Sequence, residues 1–293
     1  MTELLEREVA VASAAAIDAG RRILEVYATD FAVSLKGEND PVTRADELAN
    51  DAIVDTLEAH FPGDAIVAEE GSGPNHDAPR RIWFVDPLDG TKEFISKNGE
   101  FSVMIGLAIE GRAALGVVYQ PTTDRLFVGV VGAYAERLDG ARDALVGEGS
   151  VTLDASRLRR TPLRVSDTAA PSALRLVVSR SHRSAATDAL RDALGITGER
   201  PSGSVGLKVG LLATREADLY VHLSDKSHAW DACAPEAILV AAGGRFTGLD
   251  GMPLRYDLGP TKNARGILAC NAAAFDSVLP AVRTAARAAG MLG

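Results

Sequence analysis

Apolar positions along the chain fall into two alternating periods, one near 3.6 residues and one near 2, which predicts mixed α and β structure. Leu5, Val9, Ala12, Ala16, Ile23 and Tyr27 lie near one face of a helix expected over about 3–27. Glu3 and Glu6 stand at its start and Arg21 and Arg22 near its end, as the helix dipole favours. A second helix is expected after Thr43, with Leu48, Ile53 and Leu57 inward and Phe61-Pro62-Gly63-Asp64 ending it. The short apolar runs 65–68 and 82–85 read as strands. Runs 101–109, 114–119 and 126–131 read as an antiparallel series, turned by Glu110-Gly111 and Pro121-Thr122-Thr123-Asp124.

Residues 138–162 are rich in Asp, Gly and Arg and weakly patterned, so we expect an α+β half over 1–150 and an α/β half over 151–293. The second half restarts with a strand over 174–179 and a helix over 184–194. A small-residue loop, Ser202-Gly203-Ser204-Val205-Gly206, comes next, then a strand over 217–221. A helix over 232–242 is stopped by Gly243-Gly244. A strand over 267–270 and a helix over 274–289 complete the pattern.

Composition narrows the function. With 31 basic and 40 acidic residues the formal charge is −9, which argues against binding nucleic-acid polymers or anionic membranes. Acids occupy the N-terminus where a signal peptide carries Lys or Arg, and no apolar run approaches the ~18 residues of a membrane helix. The expectation is a soluble cytoplasmic protein. Cys233 and Cys270 are too few for a disulfide framework and read as buried small residues.

The informative charges sit beside the strands. Glu69 and Glu70 end one run, Asp86 ends the next, and Asp89 follows. If those strands are neighbours, several carboxylates meet at one sheet edge and repel. With no basic residue expected among them, a hard divalent cation, Mg²⁺ or Mn²⁺, is the economical answer. Pro87 stiffens the turn, Gly90 lets backbone approach a ligand, and Thr91 adds a hydroxyl. Asp-Pro or Asp-Gly alone marks only a turn; Asp86-Pro87-Leu88-Asp89-Gly90-Thr91 with Glu69-Glu70 upstream favours metal. Neither Gly-x-x-x-x-Gly-Lys-Ser/Thr nor Gly-x-Ser-x-Gly is present, so P-loop and α/β-hydrolase chemistry are set aside.

Asp86–Thr91 resembles the signature of the Mg²⁺-dependent, lithium-sensitive phosphatases of the inositol monophosphatase type. Trp230-Asp231-Ala232-Cys233-Ala234-Pro235-Glu236-Ala237 resembles the second signature, and Asp40-Pro41-Val42-Thr43-Arg44-Ala45-Asp46 the upstream element. The resemblance implies a layered α/β/α/β sandwich shared with fructose-1,6-bisphosphatases. It implies two or three metal ions: Glu69, Asp86 and the Leu88 carbonyl at one, and Asp86, Asp89 and Asp231 at a second. Asp46 and Thr91 would activate water, with Glu70 in a supporting catalytic place. Gly90, Thr91 and Asp231 would also touch the substrate.

Lys92-Glu93-Phe94-Ile95, Asn98-Gly99-Glu100-Phe101, Ser179-Arg180-Ser181-His182 and the Gly-Leu-Lys ending at Lys208 resemble the 3′(2′),5′-bisphosphate nucleotidase branch. That implies hydrolysis of 3′-phosphoadenosine 5′-phosphate, with Ser179, His182, Ser204 and Lys208 around the nucleotide. Inositol phosphate and fructose 1,6-bisphosphate are the alternative substrates, and a metal-dependent phospho-ligand sensor is the non-enzymatic alternative. Retention of Asp46 and Thr91 favours the enzyme. Gly71 stands where many relatives have Ser, and Ser204 where nucleotidases usually have Gly. Trp230 reads as core, Lys92 and Lys97 as surface loop charges, and His228 receives no role. A homodimer is left open.

Overall fold

The computed structural model describes residues 5–37, 40–71, 80–147, 150–181 and 183–293. α1 (Glu6–Tyr27) is followed by the paired strands β1 (Val33–Gly37) and β2 (Asp40–Thr43), then α2 (Arg44–His60). The expected helix start at Glu3 lies outside the described residues. α1 buries Ala12, Ala15, Ala16, Ala19 and Ile23, and α2 buries Ala45, Ala49, Ile53 and Leu57. Small side chains on both let the helices approach each other and the sheet beneath.

That sheet has seven strands in chain order. They are β3 (Ala65–Ala68), β4 (Arg81–Asp89), β5 (Ser102–Ile109), β6 (Arg112–Gln120), β7 (Arg125–Val130), β8 (Tyr134–Asp139) and β9 (Arg159–Pro162). Short helices α3 (Thr91–Ile95) and α4 (Ala141–Ala144) interrupt them. β3 and β4 are parallel and every other pair is antiparallel. The sheet therefore runs past the divide expected near residue 150. β9 is an edge strand whose Arg159 and Arg160 answer Asp139 and Glu136 of β8. A strand built on charge pairing carries no apolar period to read.

The remaining chain forms β10 (Arg175–Ser179), α5 (Ala185–Leu194), β11 (Gly198–Ser202), α6 (Val205–Ala213), β12 (Leu219–His222), α7 (Ala229–Ala241), β13 (Gly244–Thr247), β14 (Ile267–Asn271) and α8 (Phe275–Ala288). Its five strands are ordered β11-β10-β12-β14-β13. Alternation along each strand sorts side chains to opposite faces. Trp83 and Val85 point to the α1/α2 core, whereas Ile82 and Phe84 point to a middle core with α6 and α7. Val177 and Tyr220 face that middle core from the other sheet, while Leu176, Val178 and Leu219 face α5 and α8. The layers are thus helix, sheet, helix, sheet, closed by an outer helix pair.

α6 takes in the last two residues of the expected loop, Val205 and Gly206, and continues to Ala213 through a stretch for which the sequence predicts no element. It is apolar on nearly every side and carries Gly206 and Gly210, so it shows neither amphipathic period nor strong propensity. Burial between layers holds it helical.

α7 lies close to the large sheet because Gly106, Gly116 and Gly129 are direct ladder partners on β5, β6 and β7. A Cβ at these positions would stand 2.6 Å from the Ala234 nitrogen, 2.1 Å from the Ala234 oxygen and 2.5 Å from the Ile238 Cα. The row forms a groove that seats the helix backbone.

Glu236 on α7 is mostly buried and accepts a 2.6 Å hydrogen bond from the Tyr256 hydroxyl. Burial pushes its carboxyl up to about 7 from an ordinary 4.5, against the pull of Tyr256 and Arg112. A folded-state value above the unfolded one gives stability that is full below about 4.5 and lost as pH rises to about 7. Glu236→Gln should remove up to roughly 3 kcal/mol of that decline. Urea unfolding of wild type and variant at pH 5 and pH 8 checks this, and parallel pH dependences would refute it.

Candidate active site

β3 and β4 are parallel neighbours, so Glu69, just past β3, and Asp86 near the end of β4 come to the same sheet edge. The β4–β5 ladder is irregular between Asp86 and Asp89. The Leu88 N–H donates to Asp86 Oδ1 at 3.0 Å, which turns the chain across the sheet end. Gly90 then adopts φ 99° at the start of α3, and a Cβ there would stand 3.1 Å from the Glu100 carbonyl oxygen. Only glycine meets both demands without strain.

Two further carboxylates arrive at the third residue of a helix. Asp46 on α2 accepts from the Thr43 N–H and hydroxyl at 2.8 and 2.7 Å through Oδ2. Its Oδ1 faces the Thr91 hydroxyl at 3.3 Å, and that hydroxyl is also 3.3 Å from the Leu88 carbonyl. Asp231 on α7 accepts from the His228 N–H at 2.6 Å through Oδ2. These reciprocal caps fix each carboxylate while the helix dipole favours its charge. Asp89 Oδ2 accepts from the Ser204 hydroxyl at 2.6 Å and the Gly206 N–H at 3.2 Å, at the start of α6.

The electrostatics follow from this convergence. Asp86 is 1% exposed, and burial, then Glu69, Asp89 and Asp231, raise its carboxyl well above the ordinary range. Asp231 is raised by burial, Asp89 and Glu69, and is in hydrogen-bond contact with Asp86, an arrangement that needs a proton or a cation between them. Asp89 is raised by burial but opposed by Lys208, Ser204 and Gly206. Among the described residues no three acidic, histidine or cysteine side chains form a closed ligand shell. The fit to a cation rests instead on donor chemistry: buried, mutually repelling carboxylate oxygens suit a hard divalent ion.

One basic residue, which the resemblance assigns to the nucleotide pocket, stands among these acids. Lys208 on α6 is 4% exposed and lies 5.3 Å over the Tyr220 ring. Burial pulls its ammonium down, and Asp89, Glu93, Glu100 and Asp231 hold it up. The cluster is therefore not free of basic residues, contrary to expectation; a helix that brings one lysine to four acids distant in sequence leaves no local pattern.

Ser204 is buried, holds φ 38°, and is bonded through its hydroxyl to Ser102 as well as Asp89. This left-handed backbone is where glycine is usual; here the hydroxyl bonds offset the strain. Glu93 is buried and accepts from the Ser181 hydroxyl, while Glu100 accepts two 2.6 Å bonds from Arg180 and one of 2.7 Å from the Gly203 N–H. Neither glutamate was singled out in sequence for a site role. Ser179 is half-buried at the end of β10, and Glu70 lies in the turn beside Glu69. His182 lies outside the described residues. His228 stacks on Trp230 at 4.7 Å. Trp230 is half-buried and packs against the middle core, and the His228 N–H supplies the cap that fixes Asp231. Lys92 sits in α3 rather than a loop, whereas exposed Lys97 lies over the Tyr27 and Phe31 rings.

The sequence profile described as "Inositol monophosphatase family" matches residues 4–287. Over 246 residues the chain is 35% identical to the 3′(2′),5′-bisphosphate nucleotidase CysQ of Escherichia coli (strain K12), spanning 82% of this chain and 89% of that protein. Among solved structures it is similar to CysQ from Bacteroides thetaiotaomicron, with TM-score 0.73 and 30% identity over 92% of this chain and 98% of that one. Inositol monophosphatase from Anabaena (Nostoc) sp. PCC 7120 gives TM-score 0.74 and 28% identity over 96% of each chain. Fold and sequence together define a phosphoric monoester hydrolase. The chain belongs to the inositol monophosphatase family. Enzymes of this family generally use divalent metals, and their substrates are small phosphorylated molecules. No described helix is long and apolar enough to cross a membrane.

Asp86→Asn removes one of the repelling charges. In EDTA at pH 7 the variant should therefore melt above wild type, and Mg²⁺ should no longer raise its Tm. Thermal unfolding of both proteins across a Mg²⁺ titration checks this; equal stabilisation of the two would show that Asp86 does not hold the ion.

Proposed function

We propose that the protein is a Mg²⁺-dependent phosphomonoesterase that hydrolyses 3′-phosphoadenosine 5′-phosphate to AMP and phosphate. The observation that carries this reading is Lys208, a buried ammonium beside the carboxylate cluster with a ring, not a carboxylate, as its direct partner among the described residues. A substrate with two phosphates places one at the cluster and the other at Lys208. The 35% identity to a protein named bisphosphate nucleotidase supports the same choice.

Glu69, Asp86 and the Leu88 carbonyl would hold one ion, and Asp86, Asp89 and Asp231 a second, with Mn²⁺ as an alternative metal. Bound divalent cations neutralise phosphate charge and make water more acidic. The protein's own residues do the rest. The Thr91 hydroxyl donates to Asp46 Oδ1 and accepts from the attacking water. The water oxygen bonds to phosphorus, its proton passes through Thr91 to Asp46, and the ester bond to the ribose 3′ oxygen breaks. That oxygen leaves with a proton from solvent. Glu70 supports Glu69 from outside, and Ser204 holds Asp89 in place. Gly90 keeps the backbone close to the reacting phosphate, while Ser179 belongs to the nucleotide side, the role that the family resemblance also gives to His182.

Activity should require Mg²⁺, vanish in EDTA and fall in lithium at constant ionic strength. Asp46→Asn should lower kcat by ~10²-fold or more with less change in KM. Full turnover after EDTA treatment, or an unchanged kcat in the variant, would remove the basis for this mechanism.

Phosphate release from 3′-phosphoadenosine 5′-phosphate, inositol 1-phosphate and fructose 1,6-bisphosphate tests the substrate. The nucleotide should give the highest kcat/KM. Lys208→Ala should lower that value roughly ten- to a hundredfold, a charge-assisted contact of ~1.5–3 kcal/mol, while changing inositol 1-phosphate turnover much less. Equal losses would make Lys208 structural, and a preference for inositol 1-phosphate would overturn the nucleotide reading.

A further inference from the structure

A cleft of about 160 Å³ opens between the large sheet and the side of α6 carrying Leu207, Gly210 and Leu211, with Thr214 just past the helix end. These four recur at helical spacing along one stripe, and Lys208 projects from a different side of the helix. α6 therefore stands between most of the cleft and the carboxylate cluster, and Glu100, near Lys208 and on the cleft lining, is where the two adjoin. Gly210 keeps it open: a Cβ there would stand 3.1 Å from the Phe127 ring.

The walls are cationic. Arg125, Arg137 and Arg200 all line the cleft. Arg125 and Arg137 come from β7 and β8, and Arg200 from β11. Asp139 is shared by Arg125 at 3.9 Å, Arg137 at 3.1 Å and Arg159 at 3.1 Å. Arg200 pairs with Glu216 at 2.6 Å. Glu100, on the same lining, is already engaged by both arms of Arg180. So among the described residues the three lining arginines, Arg125, Arg137 and Arg200, pair with only Asp139, which Arg159 also claims, and Glu216, a local excess of one positive charge in a chain of net charge −9. Cations brought together from separate strands repel unless an anion joins them. Guanidinium forks match the oxygens of tetrahedral anions. The volume is several times the ~30 Å³ share of one water and well below the ~300–1,000 Å³ of sites for larger ligands.

We propose that this cleft is a second anion site, binding a small tetrahedral oxyanion, phosphate or sulfate, between Arg125, Arg137 and Arg200. It stands apart from the phosphatase reading and survives that reading's failure. Arg200 lies on β11 just before Ser202, on the strand that leads to Ser204 and so to Asp89. An anion held there bears on a segment that shapes the active site.

Isothermal titration calorimetry of the full chain with phosphate and with sulfate, in EDTA at fixed ionic strength, tests the site. One saturable event is expected, weakened at least tenfold by Arg125→Gln and by Arg200→Gln and retained in Lys208→Ala. Arg200 is half exposed, so Arg200→Gln keeps the test open should Arg125→Gln fold poorly. The anion that binds more tightly identifies the ligand. No saturable heat with wild type, or binding lost in Lys208→Ala and kept in both arginine variants, overturns the proposal.

Discussion

The depth at which α7 sits against the seven-stranded sheet is the constraint on which the site depends. Gly106, Gly116 and Gly129 are registered side by side, and the backbone at Ala234 and Ile238 occupies the space their side chains would need. The helix starts at Ala229, so this seat also fixes where Asp231 stands relative to Asp86 at the end of β4. A methyl group on the glycine row would lift the helix, open the middle core and move a carboxylate in one act. Core packing and chemistry are not separable here.

That seat creates an electrostatic problem which the helix starts and α6 partly offset. Asp46 and Asp231 each stand in a first helical turn, with one oxygen held by a cap N–H. The positive end of each helix favours these anions. Asp89 gains the Ser204 hydroxyl, the Gly206 N–H and the nearby Lys208 charge. Asp86 has the Leu88 N–H, and its surroundings otherwise raise its carboxyl. It is the member at which the remaining repulsion concentrates, and so the place where a cation gives the greatest relief.

Much of this was legible because local chain geometry carries it. The turn from Asp86 to Thr91 needs proline, glycine and a hydroxyl within six residues, and Asp46 and Asp231 are written as helix-start acids. Strands buried on both faces, such as β5 to β7, announced themselves as continuous apolar runs. β9 and β11 did not, since Arg159, Arg160, Glu199 and Arg200 make edge strands held by charge. α6 was hidden by the burial that stabilises it. Glu93 and Glu100 were quoted within a motif, but their partners Ser181, Arg180 and Gly203 lie some 80 to 100 residues away, a separation that one-dimensional patterns do not bridge.

Those same bonds show why the two sheets work together. Glu100 follows α3 of the first half, yet it holds Arg180 after β10 and Gly203 after β11; Glu93 does the same for Ser181. α6 begins immediately beyond, with Ser204 reaching back to Asp89. The segments leading to Lys208 are therefore positioned by carboxylates of the first half, while Asp231 is brought to the first half by α7. Each sheet supplies what orients the other's functional group. The unit that must stay rigid is the pair of sheets with α6 and α7 between them, and a change at either of these helices reaches the carboxylate cluster and Lys208 together.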